Sequence, residues 1–238
     1  MISKKNDKVS RKICIFAKIG YIFSIMETQK TILITAGPTR EKIDAVRFIT
    51  NRSTGKMGYA LAKAAVNQNF RVILISGVTN LPKVDGTEFI QIESAAEMAE
   101  VVKKYADSAD FIIMSAAVAD YRPKFVHANK MKKTDGDLTL ILERTEDILK
   151  YLGENKKPNQ LLIGFAAETD DLIANAKGKL ERKNLDYIIA NDVSKSDRGF
   201  GSDNNAVTIL KRDGSREDIN LLDKSALAEI LITKICGN

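Results

Sequence analysis

Apolar, β-branched runs recur along this chain with helical stretches between them, and that alternation limits it to a few folds. Strand-length runs stand at Thr31–Thr35, Arg71–Ser76, Glu88–Ile92, Phe111–Ser115, Leu138–Leu142, Leu161–Phe165 and Tyr187–Ala190. Helical patterns fall at Met57–Asn67 and at Ala95–Tyr105, the latter opened by the capping box Ser94-Ala-Ala-Glu97. Others are Glu146–Leu152 behind Thr145, Asp170–Lys183 behind Thr169, and Lys224–Ile235. Parallel strands need crossovers long enough to hold a helix, so the pattern predicts an α/β fold with a doubly wound, mostly parallel sheet. Ala206–Leu210 and Asp218–Leu222 flank Asp213-Gly214 and read as a C-terminal hairpin. Ala116 to Asp137 has no apolar period and is expected to be a flap, because a loop that long usually covers a binding site. Residues 30–238 are read as one domain.

Charge is unevenly placed. Of 37 basic and 31 acidic residues, residues 1–30 hold seven and two, which leaves 30 and 29 for the rest. The body is therefore near neutral, and no basic face for a nucleic-acid backbone is expected. Residues 1–29 are read as a loosely ordered extension. Their apolar stretch Ile13 to Met26 is interrupted by Lys18 and Gly20 and is shorter than the roughly 20 residues of a membrane span. It also lacks a small-x-small cleavage site. Met26 stands as an alternative start, and a surface anchor as the lesser alternative. Cys14 and Cys236 form no CxxC pair, which fits a reducing, cytoplasmic setting. His127 is the only histidine, so a His-dependent triad or a multi-histidine metal site is nearly excluded by count.

The stretch Thr35-Ala-Gly-Pro-Thr-Arg40 … Asp44-Ala-Val-Arg47 … Asn51-Arg-Ser-Thr-Gly-Lys-Met-Gly58 joins the first strand to the first helix. Free backbone N–H groups and the positive end of a helix dipole favour an anion there, and Arg40, Arg47, Arg52 and Lys56 add cationic heads. G-x-G-x-x-G is absent, and Met57 follows Lys56 where a Walker A loop has Ser or Thr. The plain alternative is a solvated strand-to-helix loop.

Other motifs fall at carboxyl ends of expected strands, where sheets of this kind bind ligands. Ser115-Ala-Ala-Val-Ala-Asp120-Tyr-Arg-Pro123 has small residues for a flat base or ribose and a carboxylate for its hydroxyls, or is a tight turn with an N-cap Asp. Phe165, in Gly164-Phe165-Ala-Ala-Glu168-Thr169, can stack on a base or fill the core. Lys130-Met131-Lys132-Lys133 is either solvated or a mobile charge over a phosphate site. Lys179 and Lys183 share a helix face and by themselves read as a solvated stripe. Asn191-Asp192-Val-Ser194 and Gly199-Phe200-Gly-Ser-Asp203-Asn204-Asn205 are polar loops on the same expected edge. Asp110 and Asp186 read as helix-to-strand turns. A nicotinamide-dependent oxidoreductase and a non-catalytic nucleotide-binding module both suit such a sheet. The first, however, expects a glycine fingerprint after strand one, which is absent, and a Tyr-x-x-x-Lys pair at catalytic spacing is not evident in the nucleotide region.

In this order, the stretches Thr-Ala-Gly-Pro-Thr-Arg, Asp-Ala-Val-Arg-Phe-Ile-Thr-Asn-Arg-Ser-Thr-Gly-Lys-Met-Gly, Ala-Ala-Val-Ala-Asp-Tyr-Arg-Pro, Lys-Met-Lys-Lys, Gly-Phe-Ala-Ala-Glu-Thr and Ala-Asn-Asp-Val-Ser resemble the phosphopantothenoylcysteine synthetases, or phosphopantothenate–cysteine ligases, of coenzyme A biosynthesis. The resemblance spans about Thr31 to Leu210 and is to the bacterial type, without the flavin-dependent decarboxylase often fused ahead of it. It implies a Rossmann-like fold and a homodimer, with the Asn51 loop near the subunit interface and a possible separate decarboxylase partner. The implied reaction activates the carboxylate of phosphopantothenate with CTP, ATP being the alternative, to an acyl-cytidylate that L-cysteine attacks through its amine. Joining two anions calls for Mg²⁺, whose ligands the motifs do not name.

The resemblance places the nucleotide against Met114, Ser115, Ala116, Asp120, Glu146, Asp147, Ile148, Leu149, Phe165, Lys179 and Lys183. Asn51 matches the asparagine tied to acyl-nucleotide formation, and Lys130 a nucleotide-contacting lysine of the second half-reaction. Arg47, Asn51, Ser53, Thr54 and Gly55 form the substrate loop. Pro38 stands where a second glycine is common, Lys42-Ile43 where Pro-Leu is usual, and Glu146 where proline is common.

Overall fold

A computed structural model describes residues 29–133, 135–168, 171–192 and 201–237, with only the backbone of Glu168 and Asp192. The expectations for the N-terminal extension, Thr169, Asp170, Ser194 and Phe200 lie outside the described residues. Thr31–Asn238 forms one compact unit. Its strands are β1 (Thr31–Ala36), β2 (Arg40–Lys42), β3 (Phe48–Thr50), β4 (Arg71–Ser76), β5 (Thr87–Gln91), β6 (Phe111–Met114), β7 (Tyr121–Pro123), β8 (Leu142–Arg144), β9 (Leu161–Glu168), β10 (Tyr187–Asp192), β11 (Asn204–Lys211) and β12 (Arg216–Asp223). Its helices are α1 (Lys56–Asn67), α2 (Ala95–Ala106), α3 (Ile148–Asn155), α4 (Leu172–Arg182) and α5 (Lys224–Cys236).

The main sheet runs β12-β11-β10-β9-β6-β1-β4-β5. The strands from β10 to β5 pair in parallel, and the C-terminal hairpin extends the sheet antiparallel at its β10 edge. Alternate residues of the inner strands feed two cores, as a sheet covered on both faces requires. Ile32, Ile34, Ile113 and Ile163 pack under α1 and α5, while Leu33, Ile73, Ile112 and Leu162 pack under α2, α3 and α4. This is a doubly wound α/β fold, as the alternation predicts. Asp110 and Asp186 do more than mark turns. Their carboxylates accept the backbone N–H of Thr31 (2.7 Å) and Leu162 (2.8 Å), clipping the first residues of the neighbouring strands.

Leu138–Leu142 is a correction. Only Leu142–Arg144 is extended strand, and it pairs with β7 in a two-stranded ribbon outside the main sheet. Leu138 and Ile141 are each 59% exposed, so an apolar run taken for a buried strand lies on the surface. The ribbon and the β2–β3 hairpin, which sequence reasoning missed, make up an arm carrying the flap. The third helix also begins later than expected. Asp147, not Thr145, is its N-cap and accepts from Lys150 N at 3.0 Å. The Thr145 hydroxyl instead donates to the Ala119 carbonyl at 2.6 Å.

Candidate functional site

Strand order reverses between β1 and β6. From β1 the chain steps to β4 and β5 on one side, and from β6 to β9 and β10 on the other. A crevice must open at the carboxyl ends of such a pair because their following segments diverge. Here the two loops are first zipped together: Ala117 N donates to Gly37 O at 2.9 Å and Ala119 N to Thr39 Oγ1 at 3.0 Å. Beyond them lies a cavity of about 830 Å³, walled by residues 51–58, 114–121 and 144–149.

Gly55 shapes one wall. With φ at 82° it occupies the left-handed region, and no side-chain bond caps α1. Among the described residues, the leading N–H groups of α1 therefore lack a side-chain cap at the cavity rim. Gly58 lets α1 lie on the sheet, because a Cβ there would stand 2.5 Å from the Cβ of Ala36. Asn51 is tied across the crevice, its Nδ2 donating to Ala117 O at 3.1 Å and to Val118 O at 3.3 Å. Those two bonds fix which end of the amide faces the loop.

The motif residues scattered along the sequence converge here. Asn51, Ser53, Thr54 and Gly55 line the cavity with Met114, Ser115, Ala116 and Asp120. Glu146, Asp147, Ile148 and Leu149 also line it, joined by Phe165, Lys179 and Lys183. The two lysines are thus no solvated stripe: Lys183 Nζ stands 3.0 Å from Asp147 Oδ2, at the start of α3. Glu146 is held by Lys103 at 2.5 Å. Phe165 is both wall and core, since it also packs against the α1–α5 side of the sheet.

Two expected site residues lie elsewhere. Lys130 is exposed on the flap and Arg47 sits on the arm, and neither lines the cavity. Asp44, which sequence reasoning did not single out, is the reason. Its buried carboxylate pairs with the Arg47 side chain and accepts from the backbone N–H of Val46 (2.8 Å), Arg47 (2.8 Å) and Met131 (3.0 Å). Arg47 in turn donates to Met131 O at 3.3 Å. The base of the flap is pinned to the arm rather than folded over the crevice. The Arg47 guanidinium, with these N–H donors, holds the Asp44 carboxyl well below the usual carboxylate range. An acid followed three residues later by arginine was the available signal.

Asn191, Asn205 and Lys224, from β10, β11 and α5, also line the cavity. Asn191 and Asn205 belong to the polar loops noted in the sequence. Lys224 was missed, because a lysine opening a helix looks like any other.

Residues 27–237 match the family model described as the DNA/pantothenate metabolism flavoprotein C-terminal domain. The chain belongs to that family. It is 56% identical over 209 residues to the coenzyme A biosynthesis bifunctional protein CoaBC of Bacillus subtilis, covering 87% of this chain and 51% of that protein. The chain therefore spans about half the length of the curated relatives it matches. The crystal structure of a CoaBC C-terminal domain superposes with a TM-score of 0.74 at 48% identity, covering 87% of this chain and 93% of that one. A Cab2 mutant in complex with phosphopantothenate-cysteine has a TM-score of 0.72 at 18% identity over 97% of this chain and 92% of that one, a likeness of fold alone. Members of this family share the mostly parallel, Rossmann-like sheet seen here. Among the described residues, no helix is long and apolar enough to cross a membrane.

Proposed function

We propose that this domain is a phosphopantothenate–cysteine ligase acting in coenzyme A biosynthesis, with CTP as its activating nucleotide. The observation that carries it is one cavity, at the point where strand order reverses, holding Asn51, Asp120, Phe165, Lys179 and Lys183 together. A carboxylate is a poor electrophile until its oxygen becomes part of a good leaving group. Attack of the phosphopantothenate carboxylate on the nucleotide α-phosphorus forms the acyl-phosphate bond and breaks the bond to pyrophosphate, with no proton moved. The cysteine amine then adds to the acyl carbon, loses a proton and expels CMP. These steps ask for orientation and charge rather than a histidine base, and the cavity lining contains no histidine.

Asp120 is suited to ribose or base hydrogen bonds and Phe165 to the base face. Lys179 and Lys183 neutralise anionic charge on that wall. Asn51 can donate to the reacting carboxyl oxygen only by giving up one of its bonds, and the 3.3 Å bond to Val118 is the weaker. Mg²⁺ would be held mainly by the nucleotide's phosphate oxygens and water, and when bound would offset phosphate charge. Asp147 and Glu146 are taken by lysines, and Asp120 is kept for the ribose or base.

Lys130 reaches a cavity only by movement of the flap or from a second copy. The arm exposes Phe48, Tyr121, Phe125, Val126, Leu138 and Ile141, a set that suits a homodimer interface beside the Asn51 loop.

Pyrophosphate release tests the proposal. Release requiring both phosphopantothenate and CTP is expected, with ATP weaker, and cysteine should convert the acyl-nucleotide to amide and CMP. No release with either nucleotide overturns it, and binding of a nicotinamide cofactor instead would favour an oxidoreductase. Lys130→Gln should still release pyrophosphate but accumulate acyl-cytidylate when cysteine is added. Unchanged turnover would remove Lys130 from the second step.

A further inference from the structure

Two helices, α1 and α5, open on the same rim of the cavity, and each begins with a lysine. Neither carries an acidic residue in its first turn, although Asp223 caps α5 by accepting from the Ser225 and Ala226 N–H groups at 3.0 Å. A lysine at a helix N-terminus opposes the helix dipole, a local cost that Asp223 offsets at α5 and that no cap offsets at α1. Lys224 is also only 8% exposed. Burial, with Lys56 nearby, pushes its ammonium below the usual lysine range, and Asp203 opposes that shift only in part. Residues that break local rules this way are usually there for a ligand.

Their geometry is held firmly. Lys224 Nζ donates to Ser202 O at 2.5 Å, and its backbone N–H donates to Asp203 O at 2.9 Å. Lys56 Nζ meets Asp203 Oδ1 at 2.5 Å. Farther along, Gln68 at the end of α1 donates to Glu229 Oε2 at 3.1 Å and to Thr233 Oγ1 at 3.0 Å on α5, locking the two helices side by side. Asn191 lines the same cavity, and its buried Oδ1 has no hydrogen-bond partner among the described residues. The carboxylate of Asp203 is 82% exposed, so it serves as a replaceable counter-ion rather than a buried partner.

We infer that Lys224 and Lys56 are the clamp for the β- and γ-phosphates of the nucleotide, and that they hold the pyrophosphate as it leaves. The inference rests on the nucleotide-activating chemistry proposed above. The base and ribose groups lie on the wall made by Asp120, Phe165 and the start of α3, which leaves the α1–α5 rim for the far end of a triphosphate. In the step itself the bond between the α-phosphorus and the bridging oxygen breaks, and its electron pair stays on pyrophosphate. The lysines supply charge and hydrogen bonds to those oxygens and transfer no proton. On binding, Lys56 exchanges Asp203 for phosphate. Asn191 Oδ1 accepts from a nucleotide hydroxyl or amino group and repels phosphate, so it marks the inner limit of the clamp.

Equilibrium binding of CTP, CMP, pyrophosphate and phosphopantothenate to the full chain tests this, using wild type, Lys224→Met and Lys224→Arg. Losing one charge-assisted contact should weaken CTP and pyrophosphate by about tenfold or more, while CMP and phosphopantothenate change by less than about twofold. Lys224→Arg should recover most of the loss. Unchanged CMP binding shows that the Met variant is folded. If wild type binds CTP and releases pyrophosphate but Lys224→Met binds CTP and pyrophosphate as wild type does, the clamp alone is wrong. If Lys224→Met weakens phosphopantothenate instead, the rim holds the acid substrate's phosphate and the assignment is overturned. If wild type binds no nucleoside triphosphate, the ligase proposal and the clamp fall together.

Discussion

Leu161–Phe165 and Leu138–Leu142 are alike as sequence and opposite as structure. In the first, Leu162 and Ile163 are fully buried between helices on both faces of the sheet. In the second, Leu138 and Ile141 stand 59% exposed on an arm whose strand has a single partner. A run of apolar residues records that some surface must be covered, and not by what. Between parallel strands the cover is the chain's own helices. On the arm, among the described residues, nothing covers it, and a second copy of the chain is the proposed occupant. The two regions differ in function as well. The inner strands hold the cavity walls still, while the arm carries Arg47, the flap and Lys130.

Truncation should separate the regions most sharply. Ile113→Ala, in a side chain 2% exposed, should cost about 2–5 kcal/mol in denaturant unfolding. Ile141→Ala should move the unfolding free energy of the monomer by no more than about 0.5 kcal/mol. Equal costs would show that the arm is part of the same core.

Next in size is the pin between arm and flap. Asp44→Asn removes the charge that holds Arg47 and leaves fewer acceptors for the Val46, Arg47 and Met131 N–H groups. Faster amide exchange at Met131 is expected, with exchange in β1 and β6 unchanged. The same contact sets a pH dependence. The folded-state pKa of Asp44 is depressed, so its contribution is fully present above the unfolded value of about 3.9 and is lost as pH falls through the folded value. Wild type should therefore lose flap protection below about pH 4, and Asp44→Asn should show no such step.

The smallest effect on folding is expected from Ile141→Asp. It should leave the melting temperature of the monomer almost unchanged while shifting sedimentation from dimer toward monomer. A variant that sediments as wild type does would take the interface away from this patch.

Some of the site was legible because its signals are local. The loop Asn51–Gly58 announces a helix N-terminus through its small and polar residues, and Ser115 to Asp120 follows an obvious strand. Asp147 reads in the sequence as an interior residue of a helix behind Thr145, whereas it is the cap, two residues later. Lys179 and Lys183 were visible only as a pair on one face, since periodicity does not say whether a face meets water or a cavity. The arm was misread for the same reason.

The alternation of the main-sheet strands with helices, the C-terminal hairpin and the near-neutral charge of residues 31–238 follow from the sequence alone. Periodicity, turn residues and residue counts are properties of near neighbours or of composition. Which side chains share a cavity is decided by strand order, because β1 and β6 are adjacent in the sheet and far apart in the chain. That ordering, and the packing of α5 beside α1, bring Lys224 and Asn205 to the loop around Lys56 and leave Lys130 outside. Proximity of that kind comes from the burial of two cores at once, and no stretch of residues read in isolation contains it.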